Sequence, residues 1–179
     1  MKIIILGGNS SKNNKWVDNI ETILKKKFDD VLAHRYLHWE ANNPLINLDS
    51  ELQRLRMGLG NCKNYVIVAK SAGALLSLKG IFEGKLTPRA CVFLGIAILW
   101  GRDKNFKIDN WLKDCSVPTL FIHNSDDPAI SSEDLKNTLQ KLNFKNYKLK
   151  ILPGDKHEYI EFKKIIQNME SFLIIQGIN

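Results

Sequence analysis

Tyr65-Val66-Ile67-Val68-Ala69-Lys70-Ser71-Ala72-Gly73-Ala74 decides the fold of this chain. An apolar run stops at a serine set among small residues, and a helical pattern (Ala74, Leu75, Leu78) begins at once. The stretch reads as a strand, a sharp turn and a helix, with Ser71 exposed on the turn. Small residues belong there because bulky side chains two positions to either side would collide in so tight a bend. Ala69 takes the first of these positions, where glycine is commoner.

The same grammar repeats on both sides. Short apolar runs predict strands at Lys2–Leu6, Val31–Tyr36, Tyr65–Ala69, Ala90–Ile96, Thr119–His123 and Tyr147–Leu152. Their lack of polar alternation predicts strands covered on both faces, as in a parallel sheet. Helical spacing separates them: Trp16, Ile20, Ile23 and Leu24; Leu52, Leu55 and Leu59; Leu139 and Leu142 behind a Ser131–Asp134 capping box. Tyr159, Phe162, Ile166, Met169 and Leu173 give the last helix its apolar stripe. Only the Leu99–Val117 stretch, with Trp100 and Trp111, breaks the pattern and is expected to be an irregular excursion above the sheet. Strand–helix alternation predicts a three-layer α/β domain over residues 1–179.

Composition removes several function classes. The chain has 179 residues, 44% hydrophobic and 25% charged, enough for a core without staples. No apolar run approaches the ~20 residues that a membrane-crossing helix needs. The apolar core of the N-terminal stretch is too short for a secretory leader, so a buried first strand and a cytoplasmic protein are expected. Three cysteines, Cys62, Cys91 and Cys115, have no metal-type spacing and predict free thiols. The net charge of +7 comes from scattered lysines interspersed with acids, a solvated exterior. It lacks the clustered arginines and aromatics of specific nucleic-acid recognition. Gly7-Gly8-Asn9-Ser10 follows the first strand but lacks the pattern of a phosphate loop. His34 and His38 lie on strand and turn, where their spacing makes no metal pair, and receive no role.

The chemistry is carried by three places. Ser71 follows the third strand; Asn124-Ser125-Asp126-Asp127-Pro128 forms an acidic turn after the fifth; His157 follows Pro153-Gly154-Asp155-Lys156 after the sixth. Serine is a weak nucleophile until a histidine takes its proton, and a carboxylate fixes that histidine's tautomer. In a parallel sheet all three places share one edge. Each alone has a plainer reading: Ser71 as a helix cap, Asp127-Pro128 as turn chemistry, His157 as a polar helix start. Their order and common placement argue for catalysis.

With these residues the chain resembles a small α/β-hydrolase. The resemblance spans nearly the whole sequence and rests on three short motifs and the element order. It implies six mostly parallel strands in the order 2-1-3-4-5-6 with helices on both faces. Ser71 matches the nucleophile on its elbow, and His157 the histidine of the catalytic triad. His123-Asn124-Ser125-Asp126-Asp127-Pro128 matches the acid loop His-Gly-x-x-Asp-Pro, with Asn124 for glycine, and places the acid at Asp127, with Asp126 as second choice. His123 would support that loop. The oxyanion hole falls to the backbone N–H groups of Ala72 and Asn9, where Leu6-Gly7-Gly8-Asn9 stands for the usual His-Gly-x. The length leaves no room for a lid, as in the compact hydrolases resembling the retinoblastoma-binding-protein group. The resemblance implies hydrolysis of a small ester, thioester or amide, with a small-molecule acyl substrate, no cofactor, no metal, no specific nucleic acid and no membrane. The alternative is an α/β-hydrolase fold kept as a catalytically idle interaction or small-molecule-binding module. The loops after Ile96 and around Trp39–Asn47 would line the pocket. Lys70 beside the nucleophile faces either the site or solvent.

Overall fold

Neighbouring strands all run the same way in one six-stranded sheet, in the order β2-β1-β3-β4-β5-β6. The strands are β1 (Lys2–Leu6), β2 (Asp30–His34), β3 (Tyr65–Lys70), β4 (Ala90–Leu94), β5 (Thr119–Asn124) and β6 (Tyr147–Leu152). The helices are α1 (Asn13–Leu24), α2 (Leu48–Leu59), α3 (Ala72–Phe82), α4 (Ile98–Asp103), α5 (Ile108–Lys113), α6 (Ser132–Lys141) and α7 (Phe162–Ile175). A computed structural model describes residues 1–41 and 44–178.

The strand order follows from burial. β1, β3 and β4 are the apolar runs, and nearly every residue in them is inaccessible, so they take the interior of the sheet. The edges depart from the expectation of two covered faces. β6 alternates, with Lys148 and Lys150 exposed, and β2 is only partly covered. An edge strand carries charge there because an uncovered apolar edge would recruit other chains. The expected second strand also ends early: pairing stops at His34, and a 3₁₀ turn at Leu37–Trp39 follows.

The expected excursion between Leu99 and Val117 is instead the pair of short helices α4 and α5. Trp100 meets Phe106 edge to face at 5.9 Å and Phe106 stacks on Trp111 at 6.1 Å, which shelters apolar surface that a loop would expose. α7 starts at Phe162, so Tyr159 lies before the helix to which its spacing assigned it. Ser131 does cap α6, its Oγ accepting the Asp134 N–H at 3.0 Å. All three cysteines are free thiols.

The register brings the carboxyl ends of the strands level: Leu6 pairs with Ala69, Lys70 with Leu94, and Asn124 with Leu152. The chain passes from β1 outward to β2, then returns across β1 to β3. That reversal opens a crevice at the carboxyl ends of β1 and β3, the place where open α/β sheets bind ligands. α3 starts there in close contact with the end of β1. A Cβ at Gly73 would stand 2.6 Å from the Gly7 carbonyl oxygen and 2.8 Å from that of Leu6, both main-chain atoms that cannot yield. We therefore expect Gly73→Ala to destabilise the protein by about 2 kcal/mol through overpacking, read as a lower midpoint in urea unfolding with an unchanged slope.

Candidate active site

Ser71 sits between the last residue of β3 and the first of α3 with φ 55° and ψ −118°, a strained conformation for a residue with a side chain. Its N–H still reaches the sheet, donating to the Leu94 carbonyl at 3.0 Å. The plain reading of Ser71 as a helix cap does not hold, because its side chain makes no cap hydrogen bond. Asn47 and Ser131, which do cap α2 and α6, have ordinary extended backbone and accept helix N–H groups. Ser71 is half-buried, and its hydroxyl makes no hydrogen bond among the described residues.

The acid and the histidine meet across two loops. His157 Nδ1 lies 2.8 and 2.9 Å from the two carboxylate oxygens of Asp127. A carboxylate only accepts, so Nδ1 carries the proton and Nε2 is left as the basic nitrogen. The Asp127 side chain is 0% exposed and that of His157 27%, so the pair is dry at the acid and open at the imidazole. Asp126 is exposed and accepts from Ser125 Oγ at 2.6 Å, away from the histidine. Burial alone would raise the Asp127 pKa. Hydrogen bonds from His157 and Tyr159, the attraction of His157 and the Ala129 N–H outweigh it and hold the carboxyl below its ordinary range.

Tyr159 is a part of this site that the sequence reading missed. Its hydroxyl donates to Asp127 Oδ2 at 2.6 Å and accepts the Asn124 N–H at 3.0 Å. Its carbonyl accepts from Trp16 Nε1 on α1 at 3.0 Å. It has φ 54°, and burial first, then the bond to Asp127, pushes its phenol upward in pKa. Helical spacing placed it on a core stripe, and nothing local in the sequence marks it as a partner for the acid. Asn124, where the motif usually has glycine, donates from Nδ2 to the Lys156 carbonyl at 2.6 Å and ties the acid turn to the histidine loop. His123 bonds the Ile130 carbonyl from Nε2 at 2.8 Å, bracing the acid turn from within the core.

The loop after β1 borders the crevice. A Cβ on Gly8 would lie 3.1 Å from the Ser71 Cβ, so this loop runs against the Ser71 turn. Neither the Asn9 nor the Ala72 N–H has a hydrogen-bond partner among the described residues, and Ala72 opens a helix whose first N–H groups have none within it. Lys70 turns inward: it is 7% exposed, and Nζ donates to Asn13 Oδ1 at 2.9 Å and lies 5.8 Å from the Trp16 ring. Asn13 Nδ2 in turn donates to the Ser10 carbonyl at 2.8 Å. The expected pocket wall at Trp39–Asn47 includes Asn42 and Asn43, which lie outside the described residues. Among those described, no cluster of His, Cys, Asp and Glu suits a metal ion, and no helix is long and apolar enough to cross a membrane.

No protein-family model and no curated protein sequence matches the chain. Solved structures match its fold. An α/β-hydrolase enzyme from a sediment metagenome of the Mar Chica lagoon, Morocco, superposes with a TM-score of 0.77 at 13% identity, covering 99% of this chain and 92% of that one. A serine hydrolase of carbazole degradation, CarC, gives 0.73 at 14%, covering 98% and 92%. Est1E from Butyrivibrio proteoclasticus, bound to ferulic acid, gives 0.72 at 15%, covering 99% and 89%. The chain has the α/β-hydrolase fold, with no added lid domain among the described residues.

The buried ammonium of Lys70 gives a pH test of this geometry. Burial lowers its pKa to about 8, partly offset by the charges of Asp127 and Glu158. The unfolded chain releases that proton near 10.5, so between pH 8 and 10.5 the unfolded state binds more protons and stability rises with pH. Compared by denaturant unfolding from pH 7 to 10.5, wild type should gain on Lys70→Met by up to about 3 kcal/mol. A difference that stays flat across this range would contradict the burial of the charge.

Proposed function

We propose that this protein is a serine hydrolase that cleaves a small ester, thioester or amide through Ser71, His157 and Asp127. The observation that carries the reading is the strained Ser71 backbone on the same sheet edge as the Asp127–His157 pair. Strain of about 1–3 kcal/mol persists only where the surroundings impose it, and an exposed hydroxyl on a strand-to-helix turn is what a nucleophile elbow requires. The fold shared with hydrolases of known structure supports it.

In this mechanism His157 Nε2 takes the Ser71 proton as Oγ attacks the acyl carbon. Asp127, held by Tyr159 and Ala129, keeps Nδ1 protonated and stabilises the imidazolium that forms. The Asn9 and Ala72 N–H groups receive the oxyanion, a contribution of roughly 3 kcal/mol each. His157 then gives its proton to the leaving group, and the acyl-enzyme is hydrolysed by a water that the same imidazole activates. The site lies open at the crevice, which favours small acyl substrates over an oil interface. We take the chain to resemble the compact, lidless hydrolases of the retinoblastoma-binding-protein group. The same reading holds residues 1–179 to be one domain acting in the cytoplasm on a small molecule.

A fluorophosphonate probe should label wild type and leave Ser71→Ala and His157→Ala unlabelled. Asp127→Asn should lower kcat for p-nitrophenyl acetate by about 10⁴-fold, since the carboxamide favours the wrong imidazole tautomer. Full activity in folded Ser71→Ala would overturn the assignment, and an unlabelled, inactive wild type would favour an idle module.

A further inference from the structure

Gly7 and Asn9 are held by three buried residues outside the proposed triad. The Tyr36 hydroxyl donates to the Gly7 carbonyl at 3.0 Å. His38 Nε2 and Trp39 Nε1 both reach the Asn9 carbonyl, at 2.6 and 3.0 Å, and fill its two lone pairs. Because a carbonyl only accepts, His38 carries its proton on Nε2, which leaves Nδ1 buried and without a partner among the described residues. The Asn9 side chain is engaged as well, Oδ1 accepting the Ile46 N–H and Nδ2 donating to the Pro44 carbonyl, each at 2.8 Å. Every polar atom of Asn9 except its N–H is therefore bound to the wall beyond β1.

That wall is rigid. Tyr36, His38 and Trp39 pack ring against ring, with Tyr36 and Trp39 centroids 4.7 Å apart. The turn that carries them is anchored to α2 through buried Glu51, which accepts the Leu37 N–H at 2.8 Å and is fixed by His34 and Arg54. The residue at position 7 is also explained. A Cβ on Gly7 would lie 2.9 Å from Trp39 Cη2, so the indole fills the space that a side chain at the usual histidine position would need.

We propose that Tyr36, His38 and Trp39 are positioning residues that hold Asn9 over Ser71, so that its free N–H serves as an oxyanion donor. The inference rests on the serine-hydrolase reading above. Placing a donor is worth rate only in the transition state, so loosening the wall should lower kcat and leave KM nearly unchanged.

The test is steady-state hydrolysis of p-nitrophenyl acetate, with the second-order rate of fluorophosphonate labelling measured beside it. Trp39→Phe and His38→Leu should each lower kcat about tenfold with KM within about twofold, and slow labelling in parallel. The double variant should lose about 10²–10³-fold, the loss expected for one oxyanion donor. His38→Gln, whose amide can still donate, should recover most of the activity lost in His38→Leu. Tyr36→Phe removes one oxygen and keeps the ring, so it serves if the larger changes fail to fold; it too should lower kcat selectively. Folded variants with a lower melting temperature but unchanged kcat, or with kcat and KM moving together, would overturn the inference. So would a His38→Gln no better than His38→Leu. A wild type that neither labels nor hydrolyses would overturn the underlying reading and this inference with it, a result distinct from active, indifferent variants.

Discussion

The hydrogen bond from the Ser71 N–H to the Leu94 carbonyl is the constraint on which the site depends. It extends the β3–β4 ladder one residue beyond Lys70, while the next residue already belongs to a helix. Ser71 must satisfy sheet and helix together, and a positive φ is the backbone's way of doing so. Packing enforces the compromise: β3 is inaccessible along its length and α3 is buried on most of its surface. The strain is thus held by a well-filled core and delivered at Ser71, which is half-buried.

Around that point the protein assembles side chains from distant parts of the chain by cross-bracing loops. The acid and histidine loops are laced together by Asn124, by Tyr159 and by main-chain bonds such as that from the Asp126 N–H to the Gly154 carbonyl. The loop after β1 is held on one side by Asn13, itself bonded to buried Lys70, and on the other by the ring wall of Tyr36, His38 and Trp39. A buried ammonium is costly unless its surroundings compensate it. Here an amide oxygen, an indole face and two carboxylates do so in part, which is why the charge survives beside Ser71.

What the sequence made legible was whatever is written in local pattern. The apolar runs of β1, β3 and β4 announced central parallel strands because full burial leaves no polar alternation. Ser71, Asp127 and His157 stood out because each follows such a run. Features written across the fold were not legible. Tyr159 meets Asp127 over 32 residues, and its spacing with Phe162 and Ile166 imitated a helix that begins three residues later. His38 and Trp39 meet Asn9 over about 30, in a turn with no periodicity. The helices α4 and α5 are too short for a periodic signal and are tied together by the ring contacts of Trp100, Phe106 and Trp111.

The contact between Gly7 and Trp39 also limits how such a site can change over evolutionary time. With the indole in place, any side chain at position 7 meets the ring at 2.9 Å, so one of the two must shift. With the indole gone, Asn9 loses a donor and Gly7 faces a hole. Neither position can alter first without loss, so the two form an epistatic pair whose effects are strongly non-additive. A lineage that crosses to this arrangement does not easily return by single steps. The glycine at position 7 and the tryptophan at position 39 are in that sense one inherited character written at two places in the chain.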